Sequence, residues 1–246
     1  MLSCYKADLH IHSLLSPCAE VEMTPQNIVA HAIEKGLDII AITDHNACDN
    51  VSAALVAAQG TDLVVLPGME VETQEEAHFV VLFAKMRQLK AFEAFIEQYR
   101  PPLKNNEEKF GAQFIVDADN ELVGIKEEML LGSLSITALE MIEKVRELDG
   151  VVIAAHIDRP MYSIISQLGF LPPDMDLDGV ELSRNAQVNA MGRLLPEHIA
   201  VIRSSDAHRI DDFMDGKTTC FYLESPTLEE IRQALRKINN RKAVIG

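Results

Sequence analysis

The segment Ala7-Asp-Leu-His-Ile-His-Ser13 alternates polar and apolar residues, which is typical of a β-strand with one polar face. Successive side chains of a strand point to opposite faces, so Asp8, His10 and His12 share one face. Two imidazoles directed into the same space form half of a metal site. The segment fits a half-buried strand with hydrogen-bonded histidines equally well, and the rest of the chain must decide between these interpretations.

The composition is that of a globular protein with a large aliphatic core. The chain has 246 residues, of which 48% are hydrophobic, and it contains no Trp. This length suits one large domain, and we expect residues 1–246 to form a single domain. The formal net charge of −16 would repel a long polyanion and argues against long nucleic acids as partners. A small anion could still bind where metal ions supply positive charge.

The chain carries no sequence signal for export or for a membrane. Its first residues lack the apolar core of a signal peptide, and no run approaches the ~18 apolar residues of a spanning helix. We therefore expect a cytoplasmic protein with no membrane partner. Thiols stay reduced in that compartment, so Cys4, Cys48 and Cys220 are interpreted as small apolar residues.

Short β-rich runs alternate with helical patterns along most of the chain, which indicates an α/β protein with a mainly parallel sheet, open or closed into a barrel. Strands are predicted over 5–11, 38–43, 63–71, 78–84, 151–155, 179–182, 199–203 and 218–223. Helices are predicted over 24–35, 47–59, 88–99, 135–148 and 228–238. Residues 103–132 interrupt this rhythm. They are predicted to be a small insertion that contains a β-hairpin, with strands 113–116 and 121–125.

Potential metal ligands follow five separate strands, at or just beyond the end of each. They are His10 and His12, Asp44 and His45, Glu70, His156, and Asp206 and His208. The carboxyl ends of parallel strands converge on one face of a barrel or open sheet, and that face holds the active site. His78 begins a strand and can join this group if residues 71–80 form a hairpin. His31 and His198 lie outside the pattern and are interpreted as ordinary histidines.

The loop Ser13-Leu-Leu-Ser-Pro-Cys-Ala-Glu20 leaves the proposed site and could fold back over it. Cys18 could supply a thiolate ligand, because a nearby cation lowers the pKa of a thiol. Cys18 could instead be a buried, unreactive thiol, and Glu20 is the alternative ligand from this loop.

Taken together, these motifs resemble the polymerase and histidinol phosphatase (PHP) superfamily. The resemblance rests on Asp-Leu-His-Ile-His-Ser, Thr-Asp-His at 43–45, Pro-Gly-Met-Glu at 67–70, Ala-His at 155–156 and Ser-Asp-Ala-His at 205–208, in that order. It implies a distorted (β/α)7 TIM-like barrel with a trinuclear metal centre. Members of the superfamily hydrolyse phosphate monoesters or diesters, or serve as exonuclease modules of polymerases.

The resemblance also implies a set of site residues. The nine metal ligands would be His10, His12, Cys18, His45, Glu70, His78, His156, Asp206 and His208. The family usually has His or Asp where Cys18 falls. Asp8 and Asp44 would orient ligating imidazoles.

These residues predict hydrolysis of a phosphate ester by a metal-activated hydroxide, with a small phosphorylated substrate. Glu70, His10, His12, Asp206 and His208 would form the catalytic centre. Ligands rich in His suit two to three divalent transition-metal ions, namely Zn, Mn or Fe, better than Mg or Ca.

Arg159 and Arg184 follow strand ends and are predicted to bind phosphate by forked hydrogen bonds, although surface ion pairing fits both residues equally well. Two other functions stay open. One is an amidohydrolase-like enzyme that cleaves C–N or C–O bonds, and the other is a non-catalytic, metal-stabilised module.

Overall fold

The structure is a computed structural model, and it describes residues 1–186, 197–213 and 218–246. Its strands are β1 (Ser3–Ile11), β2 (Ile39–Ile42), β3 (Val64–Glu72), β4 (His78–Leu82), β5 (Phe114–Val116), β6 (Leu122–Ile125), β7 (Val151–Ala154), β8 (Gly179–Leu182), β9 (Ala200–Arg203), β10 (Thr219–Leu223) and β11 (Lys242–Ile245). Its helices are α1 (Pro25–Glu34), α2 (Val51–Ala57), α3 (Met86–Ile96), α4 (Glu107–Phe110), α5 (Ala138–Glu147), α6 (Ile164–Leu168) and α7 (Leu228–Leu235).

Nine of these strands form one sheet in the order β11-β10-β1-β2-β3-β4-β7-β8-β9. The two outermost strands, β11 and β9, lie side by side, so the sheet curls into a nearly closed barrel. The predicted α/β class and barrel-like architecture are therefore confirmed. The barrel is less regular than a seven-stranded parallel one, because four of the eight strand pairings are antiparallel.

Strand β4 runs against both of its neighbours, β3 and β7. Residues 73–77 between β3 and β4 are too few for the helical crossover that a parallel pair would need. The two strands therefore form the antiparallel hairpin that the sequence allowed for residues 71–80, with Glu72 opposite His78.

Strand β2 is buried on both of its faces. In β2, Ile39 and Ala41 belong to an apolar cluster that includes residues of α7, whereas Ile40 and Ile42 belong to a second cluster that includes residues of α1 and α3. This arrangement explains why the strand is an uninterrupted apolar run rather than an alternating one.

The insertion at 103–132 contains the predicted hairpin, whose strands β5 and β6 form a separate two-stranded sheet. Three short elements had no clear pattern in the sequence. Helix α4 has only four residues and α6 only five, and β11 is half exposed with a charged first residue.

Cys4 and Cys220 correct the expectation that these residues are reduced apolar side chains. They form a disulfide with a Cα–Cα distance of 5.7 Å. The pairing of β1 with β10 places them on adjacent strands although 216 residues separate them in the chain. Cys48 is a free, buried cysteine, as expected for a small apolar residue.

Among the described residues, no helix has the length and apolar character that crossing a membrane requires.

Candidate metal centre

Glu70 lies at the centre of a cluster of imidazoles and is almost completely buried. Each of its carboxylate oxygens lies close to several histidine nitrogens. Oε1 is 2.8 Å from His78 Nδ1 and 3.2 Å from both His10 Nε2 and His156 Nε2. Oε2 is 2.9 Å from His45 Nδ1 and 3.3 Å from His12 Nε2. One carboxylate thus contacts five imidazoles.

Asp206 is the second acidic residue of the cluster. Its Oδ1 lies 3.2 Å from His12 Nε2, 3.4 Å from His10 Nε2 and 3.5 Å from His208 Nδ1. Asp206 therefore connects the two histidines of β1 to His208, which stacks on His12 with ring centroids 4.1 Å apart.

The barrel explains why these side chains meet. His10 and His12 come from the end of β1 and its following residue, and His45 and His156 lie just after β2 and β7. Asp206 and His208 lie in the segment after β9. The carboxyl ends of these parallel strands open on the same face of the barrel. The β3–β4 hairpin adds Glu70 and His78 from the same face.

The donor groups form three overlapping sets in which the ligand atoms all lie within 4.8 Å of one another. These sets are His12, His45 and His208; His10, His12 and Glu70; and His45, Glu70 and His78. Three buried atoms of the cluster, Glu70 Oε2, His78 Nε2 and His156 Nδ1, have no hydrogen-bond partner among the described residues. Buried polar atoms are normally satisfied, and imidazole and carboxylate are the ligands of Zn, Mn and Fe. The site therefore fits divalent metal ions.

Burial and neighbouring charges strongly shift the pKa values of Glu70, His78 and His208. Burial alone would raise the pKa of Glu70, but the neighbouring charges of His78, His10 and His45 hold this pKa well below its usual value. Burial alone would lower the pKa of His78, yet Glu70 raises it to about 9. Burial and the charge of His12 lower the pKa of His208 to about 3. Bound cations would replace the protons that otherwise compensate Glu70 and Asp206.

Asp44 acts on His12 through a serine. The Ser16 hydroxyl donates to Asp44 Oδ1 at 2.7 Å and lies 3.0 Å from His12 Nδ1. Because its proton points at Asp44, the Ser16 oxygen accepts from the His12 Nδ1–H group. In a neutral imidazole this leaves the lone pair on Nε2, which faces Glu70 and Asp206. The sequence indicated Asp44 for this purpose, whereas Ser16 carried no recognisable signal.

Asp8 supports the site through the backbone. Its buried Oδ1 accepts from the Ser205 amide at 3.0 Å, and this contact holds the segment that carries Asp206. Burial is the main reason why the pKa of Asp8 is raised to about 6, with hydrogen bonds from Ser205 opposing the shift. Asp8 therefore positions a loop, rather than orienting an imidazole directly.

Glu181 is a functional candidate that the sequence reasoning missed. It lies within β8, is 2% exposed, and its Oε1 is 2.9 Å from His10 Nδ1. The available signal was a charged residue inside the predicted buried strand 179–182, where a carboxylate needs a partner. A carboxylate on Nδ1 holds the ring so that Nε2 faces Glu70 and Asp206.

Replacement of Glu181 by alanine is expected to weaken metal binding by about 10- to 100-fold, the usual effect of removing a carboxylate behind a ligating histidine. Glu181→Gln should lose less, because an amide oxygen can still accept from Nδ1. Metal affinity measured by competition with a chromophoric chelator checks this order. Equal affinity in wild-type protein and both variants would contradict it.

The remaining predicted residues lie at different distances from the cluster. Cys18 is exposed and lines the cavity beside His45, but it belongs to none of the three donor sets found among the described residues. Glu20 is exposed and pairs with Arg209 at 3.2 Å. Arg184 pairs with Asp212 at 2.5 Å and is not among the lining residues of the cavity. His31 and His198 also lie outside it.

A cavity of about 310 Å³ opens onto the cluster. Arg159 lines it and pairs with Asp206 Oδ2 at 2.5 Å, so a guanidinium reaches the metal centre from the mouth. Glu72 and Tyr162 line the same cavity and were not predicted from the sequence. Glu72 Oε2 lies 3.5 Å from His78 Nε2 and accepts from Ser133 through its other oxygen.

Several known proteins share this fold. Endonuclease Q from Pyrococcus furiosus superimposes with a TM-score of 0.70 at 22% identity over 98% of this chain, and this chain spans 58% of its length. A structure of endonuclease Q holds a 27-mer duplex substrate with an abasic lesion at the active site. A candidate metal-dependent phosphoesterase from Bifidobacterium adolescentis superimposes with a TM-score of 0.58 at 20% identity, covering 85% of this chain and 89% of that one.

An uncharacterised protein of Methanocaldococcus jannaschii, MJ1587, is 27% identical over 193 residues, which are 72% of this chain and 80% of the relative. The barrel and its cluster of histidines and carboxylates form a candidate metal site at one end of the strands. The family model of the PHP domain matches residues 8–161, and the chain therefore belongs to the PHP domain family. The resemblance found in the sequence motifs is thereby confirmed.

Proposed function

We propose that this protein hydrolyses phosphate esters at the cluster around Glu70, with two to three divalent transition-metal ions bound there. The central observation is that the two oxygens of one buried carboxylate contact five imidazoles. Each pair of donor sets has one residue in common, namely His12, His45 or Glu70, so metal ions bound to the sets would be close neighbours. Closely spaced ions are the usual arrangement in enzymes that cleave phosphate esters.

Each group of the chain then has a defined task. When bound, the metal ions would supply a hydroxide nucleophile near neutral pH and positive charge for the phosphate. Cys18, which lines the cavity, is proposed as one further ligand. The other proposed ligands are His10, His12, His45, Glu70, His78, His156, Asp206 and His208. Glu181 and Ser16 hold His10 and His12 in place.

Arg159 supports a phosphate substrate rather than an amide. Its side chain is 40% exposed and lines the cavity, while one guanidinium nitrogen contacts Asp206. An anion that enters the cavity can therefore reach the guanidinium directly. Guanidinium groups bind phosphate oxygens with forked hydrogen bonds. We propose that Arg159 orients the phosphate, because it lines the cavity and Arg184 does not.

The cavity and the overall charge favour a small substrate. A volume of about 310 Å³ lies at the lower end of typical ligand pockets. The net charge of −16 disfavours a long polyanion, so phosphomonoesters, small phosphodiesters and short oligonucleotides are the proposed substrates. Endonuclease Q, of which this chain spans 58%, binds a duplex substrate with an abasic lesion at its active site. An abasic duplex therefore belongs among the substrates to test.

Metal analysis and a substrate panel on one preparation test this proposal. We expect about two to three transition-metal ions per chain, and cleavage of p-nitrophenyl phosphate or bis(p-nitrophenyl) phosphate that EDTA abolishes. The panel also includes an oligonucleotide, the abasic duplex, and amide and lactone substrates. Cleavage of only the amides or lactones would establish an amidohydrolase-like enzyme. Metal-loaded protein that is inert toward every substrate would leave a metal-stabilised module.

A further inference from the structure

Tyr162 occupies an unusual place at the mouth of the metal centre. Its ring stacks on the imidazole of His78, with centroids 4.9 Å apart and planes 25° from parallel. Tyr162 nevertheless remains 44% exposed and lines the cavity. Because His78 covers one face of the ring, this exposure belongs to the opposite face and the edge. The ring is thus an open platform beside the site.

The backbone holds this platform in position. Tyr162 adopts φ +60°, which is unfavourable for a bulky residue and persists only where neighbouring contacts impose it. Its carbonyl accepts from the amide of His78 at 2.9 Å. The next residue, Ser163, is buried and donates from its hydroxyl to the Arg159 carbonyl at 2.8 Å. The main chain that carries the ring is therefore held in place by contacts within the protein.

Two other apolar side chains of the same segment are exposed. Met161 and Phe170 of the same segment are 63% and 54% exposed. Arg159 lies three residues before Tyr162 and lines the same cavity. The segment therefore presents a group for an anion next to a group for a flat apolar ring.

We propose that Tyr162 stacks on the base of a nucleotide whose phosphate enters the metal centre beside Arg159. The substrates would then be nucleoside phosphates or the ends of short oligonucleotides, rather than sugar or polyol phosphates. This inference rests on the proposed phosphoesterase function and narrows it. Stacking between a base and an aromatic side chain suits this site because every base has a π-face, whatever its hydrogen-bonding edge.

A purely structural Tyr162 would behave differently. If the ring only packs against His78 to hold that ligand, its loss weakens every phosphate ligand equally. If the ring binds a base, its loss weakens only ligands that carry one. The ratio of two dissociation constants, for a ligand with a base and one without, separates the two roles.

The experiment uses the metal-loaded full chain and two ligands that cannot be hydrolysed, the 5′-methylenephosphonate analogues of adenosine 5′-phosphate and ribose 5-phosphate. Calorimetric titration gives both dissociation constants. We expect the adenosine ligand to bind about 5- to 150-fold more tightly than the ribose ligand, the range that stacking of one base provides. Tyr162→Ala should bring this ratio close to one, and Tyr162→Phe should retain it.

Two further variants complete the design. Tyr162→Leu keeps apolar bulk without an aromatic face, and it replaces Tyr162→Ala if that variant does not fold. Tyr222→Ala is the matched control, because Tyr222 lies on β10 against Lys242 and is not a lining residue of the cavity. It should keep the wild-type ratio.

The possible outcomes separate the role of Tyr162 from the phosphoesterase function. A wild-type ratio near one, or an equal loss for both ligands in Tyr162→Ala, overturns the role of Tyr162. If p-nitrophenyl phosphate is still hydrolysed in that case, the proposed phosphoesterase function stands. A ratio that depends on Tyr162 in a protein without phosphoester hydrolysis establishes a nucleotide site and rejects the phosphoesterase function instead.

Discussion

Glu70→Gln is expected to abolish phosphoester hydrolysis and to release most of the bound metal. The substitution keeps the shape of the side chain and removes its negative charge. Five imidazoles contact this carboxylate, and two of the three donor sets include it. We expect kcat/KM to fall by more than about 100-fold, which exceeds the 10- to 100-fold effect of losing a group behind a ligand.

Metal content by mass spectrometry, and initial rates at fixed added metal, measure this effect. Glu230→Gln is the matched control, because Glu230 is also buried but pairs with Arg241 at 2.9 Å and is not a lining residue of the cavity. It is expected to change stability without changing metal content. A Glu70→Gln protein with full metal and wild-type rates would remove Glu70 from the centre of the proposed site.

His10→Ala is expected to have an effect of similar size. His10 Nε2 lies within 3.4 Å of both Glu70 and Asp206, and its Nδ1 contacts Glu181. Its removal takes away a ligand and leaves a buried carboxylate, Glu181, without its partner. We expect loss of at least one metal ion per chain. We also expect kcat/KM to fall by more than about 100-fold, which is a larger loss than removal of a carboxylate behind a ligating histidine causes.

His31→Ala is the matched control for this prediction. His31 lies in α1, where it contacts Glu34 at 3.4 Å and meets the edge of the Phe213 ring. It is not a lining residue of the cavity, so the variant should keep both metal and activity. Similar losses in His10→Ala and His31→Ala would contradict the proposed ligand set and indicate a general effect on folding.

Much of the fold and the convergence of ligands could be predicted from local patterns. Thr24 and Pro25 mark the start of α1, and Thr24 accepts from the amide of Asn27 as a capping residue should. The apolar run 39–42 is a strand buried on both faces. Because the carboxyl ends of parallel strands meet, residues placed after those runs were expected to share one face.

Other features depended on contacts between distant segments. The reversed direction of β4 followed from a connection too short for a crossover, and only the hairpin places Glu72 opposite His78. The disulfide joins Cys4 to Cys220 because β10 returns beside β1. No sequence pattern indicated that Tyr162 lies at the cavity, because its position depends on one strained backbone conformation and on a hydrogen bond from the amide of His78.

The sequence by itself determined which chemical groups stand at the strand ends and in which order, because strand periodicity and strand ends are local properties of the chain. The tertiary structure decided which imidazole faces which oxygen of Glu70, and it alone brought Glu181 to His10 across 171 residues. Such pairings depend on how the barrel closes. Closure is set by the packing of all strands together, and no short segment encodes it.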